Sequence, residues 1–147
     1  MPRNARVVWP GLPYHVTQRG TNGQTVFYSV ADRKTYLYLL RANLEDCNVR
    51  ILAFCLMSNH VHWIIVPGTE DSLARLFRRV HGRYAQYLNA RRQRNGHLWQ
   101  NRFYSCPLGE THLWTALRYV ELNPVRAGLV EAPTAIAGLA PRRTGAR

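Results

Sequence analysis

Two apolar runs constrain this chain more than anything else in it: Val49 to Met57 (VRILAFCLM) and His60 to Val66 (HVHWIIV), parted only by Ser58-Asn59. Each is strand-length and rich in β-branched and aromatic residues. The first is apolar on both of its faces, as a central strand covered from two sides should be. Pro67-Gly68 stops the second. The pair therefore reads as a hairpin in the middle of a sheet.

The flanking segments supply helices. Ser29 followed three residues later by Asp32 has the form of a capping box and opens a helix over about 30–46, with Tyr36, Leu40, Leu44 and Cys47 along one side. A second helix spans about 72–93, capped by Asp71 or Ser72 and stopped by Asn95-Gly96, with Leu73, Phe77, Val80, Tyr84 and Leu88 as its buried stripe. A strand-like stretch at Tyr14-His15-Val16-Thr17, followed by a loop at Gly20, Asn22 and Gly23, precedes the first helix. An edge strand at Phe103 to Leu108 and a third helix over about 111–122 follow the second. The order β-α-β-β-α-β-α is that of an α+β, ferredoxin-like split βαβ sandwich with a central antiparallel sheet and an added C-terminal helix. One domain is expected over residues 1–130, and the Ala/Gly/Arg-rich residues 131–147 read as a basic, flexible tail.

Charge narrows the partner. Twenty Lys+Arg against eight Asp+Glu give a net charge of +12, and Lys34 is the sole lysine. Guanidinium forks fit phosphate oxygens, so a polyanion is the expected partner, although base composition also enriches arginine. Three Asp and five Glu, scattered along the chain, are poor material for a carboxylate-built two-metal nuclease. No apolar window approaches the roughly 18 residues of a membrane span, so no membrane association is expected. The N-terminus has no apolar core of a secretory signal. Cys47, Cys55 and Cys106 are odd in number and form no Cys-x-x-Cys pair, which fits a reducing cytoplasm rather than a disulfide framework.

Two groups of residues could carry chemistry. His60 and His62 are two apart on a strand and share a face, with Cα atoms roughly 6–7 Å apart. By spacing alone they could be two half-buried histidines. Such rings are costly to bury between apolar stretches without partners, and a shared cation would satisfy both. On the third helix Leu113, Leu117 and Val120 form the packing face, while His112, Thr115 or Ala116, Tyr119 and Asn123 fall on another. Tyr119 and Asn123 are one turn apart and could supply a nucleophile and a metal ligand. Asn123-Pro124 is equally an N-cap and N1 signature for a short following helix.

Met57-Ser58-Asn59-His60-Val61-His62 ahead of an apolar strand resembles the His-hydrophobic-His motif of the IS200-like, single-tyrosine transposases. The stretches YHVTQRG (14–20), Asp32-Arg33, LWQNRF (98–103) and YVELNPVRAGLV (119–130) resemble the REP-associated tyrosine transposase branch, over roughly residues 3 to 130. The resemblance implies cleavage and strand transfer on single-stranded DNA, often at hairpins of repeated extragenic palindromes, by a nucleoid-associated cytoplasmic enzyme. It implies that His60 and His62 hold a divalent metal, Mg²⁺ or Mn²⁺, that Tyr119 is the nucleophile, and that Asn123 stands where relatives carry a third polar ligand, often Gln.

The chemistry is coherent. A cation on a non-bridging phosphate oxygen withdraws charge, and attack by a phenol would leave a 5′-phosphotyrosine and a free 3′-hydroxyl. The stored bond lets a later hydroxyl rejoin strands without ATP. Imidazole and amide donors suit Mn²⁺ better than Mg²⁺ and leave zinc open. Tyr104 is the second candidate nucleophile, ahead of Tyr84 and Tyr87. For DNA binding, Arg75, Arg78, Arg79 and Arg83 form a stripe on the second helix that only Glu70 and Asp71 lie near enough in sequence to neutralise. Arg3, Arg6 and Arg19 add phosphate contacts. Trp9 is the best stacking candidate, with Trp99, Phe103 and Tyr104 more consistent with packing. A homodimer is compatible with the sequence. The competing readings are a nucleic-acid-binding module without activity and a metal-dependent phosphodiesterase that uses water.

Overall fold

The hairpin forms as its sequence dictates. In the computed structural model, which describes residues 8–126 and the side chains of 8–120, β2 (Val49–Leu56) and β3 (His60–Pro67) pair antiparallel. The Met57 amide donates to the His60 carbonyl at 2.9 Å to close the turn between them. The remaining elements are β1 (Tyr14–Arg19), a single 3-10 turn (Thr21–Gly23), α1 (Val30–Leu44), α2 (Ser72–Arg91), β4 (Tyr104–Pro107) and α3 (Glu110–Arg126). The sheet order is β2-β3-β1-β4, with every described pair antiparallel. This is the expected ferredoxin-like α+β arrangement with an added C-terminal helix.

Three expectations are corrected. β2 is an edge strand, not a central one; β3 and β1 occupy the centre. Its residues are apolar on both sides because helices cover both faces of the sheet, so the pattern reports coverage rather than position. A bulge between Ile51 and Ala53 marks the edge. In addition, α3 continues through Asn123 and Pro124 to Arg126, so Asn123 lies inside a helix rather than capping a new one. The helix α2 ends at Arg91, ahead of the expected Asn95-Gly96, because Gln93 takes a left-handed conformation at φ 51°. Arg3, Arg6, the Asn123 side chain and the 131–147 tail lie outside what is described.

Alternation along the strands divides the interior in two. Tyr14, Val16, Val61, Trp63 and Ile65 point into the main core, under α1 and α2, with Tyr36, Phe77, Val80 and Tyr84. Ala53, Cys55 and Ile64 point to the opposite face, where α3 packs through Leu113, Ala116, Leu117 and the fully buried Val120. The Ser29 hydroxyl accepts from the Asp32 amide at 3.2 Å, as the capping box requires. Asp32 itself is buried, and its carboxylate accepts from the Tyr28 amide and the Tyr87 hydroxyl, each at 2.9 Å, tying α1 to α2.

β1 ends where the chain must pass close to itself. A Cβ on Gly20 would sit 2.3 Å from the Gln24 carbonyl oxygen, so only glycine fits. The Gly20 amide donates to the Asn59 carbonyl at 2.9 Å, and the Gln100 amide donates to the Arg19 carbonyl at 2.8 Å. These bonds fasten the end of β1 to the hairpin turn on one side and to the 98–103 loop on the other.

Candidate active site

The face of the sheet under α3 carries the polar residues that the main core excludes. Cross-strand register places Cys55, His62, Thr17 and Tyr104 in one row across all four strands. The next row toward the hairpin turn sets Arg19 opposite His60. His60 and His62 do share a face, with ring centroids 4.8 Å apart and planes nearly perpendicular at 81°. Val61 and Trp63 point the other way, into the main core.

A third imidazole joins them. His15 reaches diagonally from β1, its Nε2 3.1 Å from His62 Nδ1, with the two rings stacked at 5.3 Å. His60 Nδ1 is 2.6 Å from the Asn59 side-chain oxygen. Tyr119 arrives from α3 and stands edge-on to His62 at 5.8 Å between ring centroids, 43 % exposed. All of these groups come from one chain. Tyr104 is more exposed, at 62 %, and is separated from His62 by the width of β1. Tyr84, by contrast, is fully buried in the main core, and the Tyr87 hydroxyl is committed to Asp32.

Electrostatics keep this cluster neutral. His62 has its pKa pushed down to about 4, first by burial and then by His60, His15 and Arg19. Burial lowers His60 as well, helped by Arg19, and burial alone lowers His15. At neutral pH all three rings are therefore uncharged and carry lone pairs. The adjacent Cys55 thiol is pushed up to about 12 by burial and stays protonated.

The donor set can be tested against a divalent cation. Among the described residues no group of three or more His, Cys, Asp or Glu is arranged to hold one. The histidine pair nonetheless fits as part of a site. His62 Nε2 is buried and has no hydrogen-bond partner among the described residues, so it is a ring nitrogen that a bound cation would satisfy. Two imidazoles can supply two positions, leaving the others to substrate, water or a further side chain.

The cationic candidates separate. Arg19 stands beside the histidines and makes no ion pair among the described residues. The α2 stripe lies across the sheet from them. There Arg79 pairs with Asp46, and Arg75 lies 4.0 Å from Asp46 and 3.9 Å from Asp71. Asp46, in the α1–β2 connection, is an acid that the sequence reading did not count as a neighbour of the stripe. Arg83 is exposed, and Arg78 lines a cleft of about 720 Å³ between α2 and residues 96–103. Trp9 is 61 % exposed, whereas Trp99 stacks on His81 at 4.4 Å and Phe103 packs on Phe77 at 5.0 Å.

Sequence reasoning missed the partners of the two histidines, His15 and Asn59. The available signal was the alternation of YHVTQR, which puts His15, Thr17 and Arg19 on one face of β1, but the cross-strand register needed to bring that face to His62 was not legible.

Together these features define a ferredoxin-like α+β domain whose central sheet offers paired histidines to a tyrosine on an added helix. Two solved structures share the fold. A REP-associated tyrosine transposase bound to a REP hairpin matches with a TM-score of 0.74 at 18 % identity, covering 96 % of this chain and 89 % of that one. A protein of Deinococcus radiodurans R1, described as a candidate transposase, matches with a TM-score of 0.53 at 18 % identity, covering 82 % and 96 %. No curated protein matches the sequence. Residues 9–123 match the family described as "Transposase IS200 like". The chain belongs to that family, and is a transposase-like, DNA-processing protein. Among the described residues no helix is long and apolar enough to cross a membrane.

Proposed function

We propose that this protein cleaves and rejoins single-stranded DNA at hairpin-forming repeats through a covalent 5′-phosphotyrosine on Tyr119. The observation that carries the reading is the meeting of the Tyr119 ring with His62, at 5.8 Å, on the face that also holds His60. A half-exposed phenol beside neutral imidazoles is accessible to a backbone phosphate.

His60 and His62 would hold a divalent metal, Mg²⁺ or Mn²⁺, with Asn123 one turn beyond Tyr119 as a further ligand. Bound there, the metal would withdraw charge from the phosphate and lower the barrier to attack. The phenol oxygen would form the bond to phosphorus as the bond to the 3′-oxygen breaks. The phenolic proton is lost and the leaving oxygen gains one, so charge balances over the step. Arg19, beside His60, would hold the phosphate as an ion pair. Trp9 would offer a stacking surface for an unpaired base. Arg3 and Arg6 from the leading segment, and Arg78 and Arg83 from α2, would contact phosphates farther along the strand; Arg75 and Arg79 would first have to leave Asp46. With nucleophile and histidines in one chain, the reading requires no second subunit.

The test is incubation with a single-stranded hairpin oligonucleotide and Mn²⁺, followed by denaturing electrophoresis. A protein–DNA adduct resistant to denaturant, absent in Tyr119→Phe and in His60→Ala or His62→Ala, is the expected result. Mobility shift without adduct or cleavage would make the protein a binding module. Cleavage without adduct would make water the nucleophile. An adduct that survives Tyr119→Phe would move the nucleophile to Tyr104. Mixing Tyr119→Phe with His62→Ala should leave the reaction dead, since each chain builds its own site.

A further inference from the structure

We infer that His15 and Asn59 are positioning residues that lock His62 and His60 in the tautomer whose Nε2 carries a free lone pair. The inference rests on the metal-binding reading above, and it adds two residues outside the histidine pair.

A hydrogen bond between two ring nitrogens needs a proton on one and a lone pair on the other. His62 Nδ1 and His15 Nε2 are 3.1 Å apart. Were His15 the donor, the one proton of a neutral His62 would sit on Nε2, a buried N–H with no acceptor among the described residues. Orphaned buried N–H groups are rarer and costlier than under-used acceptors. The geometry therefore makes His62 Nδ1–H the donor and His15 Nε2 the acceptor, and leaves the Nε2 lone pair of His62 bare.

His60 reaches the same state by a different partner. Its Nδ1 is 2.6 Å from the Asn59 side-chain oxygen. An amide oxygen can only accept, so His60 Nδ1 donates and its Nε2 holds the lone pair. The orientation of that amide is fixed from its other end, where Asn59 Nδ2 donates to the Gly23 carbonyl at 3.4 Å. Two rings held edge to face at 4.8 Å thus offer the same nitrogen. Partners at the far nitrogen commonly fix both the tautomer and the ring orientation of a metal-binding histidine. Neither partner is a carboxylate here, so the pair is locked without adding negative charge beside a phosphate.

Two-bond ¹⁵N–¹H correlation spectra of the metal-free, ¹⁵N-labelled protein near pH 7.5 read the tautomers directly. His60 and His62 should both appear as Nδ1–H. His15→Phe should release His62 alone, Asn59→Ala should release His60 alone, and each should weaken Mn²⁺ binding by about 10-fold or more in calorimetry without DNA. His15→Gln, whose amide oxygen can accept from His62 Nδ1–H, should restore both the tautomer and the affinity. A wild-type His62 protonated on Nε2 would overturn the inference, as would a His15→Phe variant with unchanged tautomer and metal affinity. Should His15→Phe fail to fold, the wild-type spectrum, Asn59→Ala and His15→Gln decide. If the wild-type protein takes up no Mn²⁺, the metal reading falls by itself, and the tautomer pattern still stands or falls by its own spectrum.

Discussion

Removing the imidazole of His81 should flatten the acid limb of the stability curve. His81 lies in the middle of α2, 7 % exposed, with its Nε2 2.7 Å from the Tyr36 hydroxyl and its ring stacked on Trp99. Burial pushes its pKa from 6.5 down to about 3. In that interval the unfolded chain binds a proton that the native protein refuses, so stability is complete above the unfolded value and is lost as pH falls. Each pH unit inside the window is worth about 1.4 kcal/mol. Between pH 6.5 and 5.0 His81 alone should therefore remove about 2 kcal/mol, a sizeable share of the roughly 5–15 kcal/mol of an ordinary domain. His62, with its pKa near 4, adds a parallel slope, so the measurement must be a difference. Tyr36→Phe is the right background, because His81→Phe on its own would also leave a buried hydroxyl unpartnered at a cost of about 1–3 kcal/mol. Urea unfolding followed by tryptophan fluorescence, in half-unit steps from pH 7.5 to 4.5, should show a shallower loss in Tyr36→Phe/His81→Phe than in Tyr36→Phe. Equal slopes would refute the assignment of a neutral, fully desolvated His81. The consequence reaches the candidate site, since Trp99 donates its Nε1–H to the His81 carbonyl at 3.2 Å and its loop is bonded to the end of β1.

Asp32→Ala should lower stability by about 1–3 kcal/mol in thermal unfolding, because it strands the Tyr87 hydroxyl and the Tyr28 amide, while Arg91, 3.7 Å away, stays in contact with water; a variant as stable as the wild type would show that this carboxylate does not join α1 to α2. In the native protein Cys106 should react quickly with Ellman's reagent at pH 8 while the buried Cys47 and Cys55 wait for denaturant; fast reaction of all three would contradict their burial. Arg78→Ala with Arg83→Ala should reduce the salt dependence of DNA binding more than Arg75→Ala with Arg79→Ala, because Asp46 already neutralises the latter pair; equal reductions would mean that DNA displaces Asp46 without penalty.

What could be read from the sequence follows the range of the interactions involved. The hairpin, the capping box at Ser29 and the buried stripe of α2 are local patterns with periods of 2 or 3.6, and each appears where that period predicts. The shared face of His60 and His62 is legible for the same reason. Strand order is not local: β2 reads as central because apolar faces record two covering helices, not two neighbouring strands. The His15–His62 bond and the Asp46–Arg79 pair join residues 47 and 33 apart in sequence, and no periodicity reports them. Asn123-Pro124 shows the converse error, a local signal for a helix start overridden by a helix that continues.

The placement of charge explains how so basic a chain could host the proposed chemistry. Its net charge of +12 attracts DNA at long range, yet imidazoles that took up protons would have no lone pair to offer a metal. The fold resolves this by setting the histidines on the central strand, where α3 and the neighbouring strands desolvate them and hold them neutral at pH 7. Arg19 reinforces that neutrality, since its charge opposes protonation of both rings while its guanidinium remains exposed. The tyrosine comes instead from the helix with the smaller core, anchored by Leu113, Ala116, Leu117 and Val120, and it stays half open to solvent. Desolvated imidazoles and an approachable phenol are opposite requirements of the proposed step. A two-faced sheet meets both, because the residues between them alternate: Trp63 and Val61 lock β3 into the main core from one side, and so fix the histidines that project from the other.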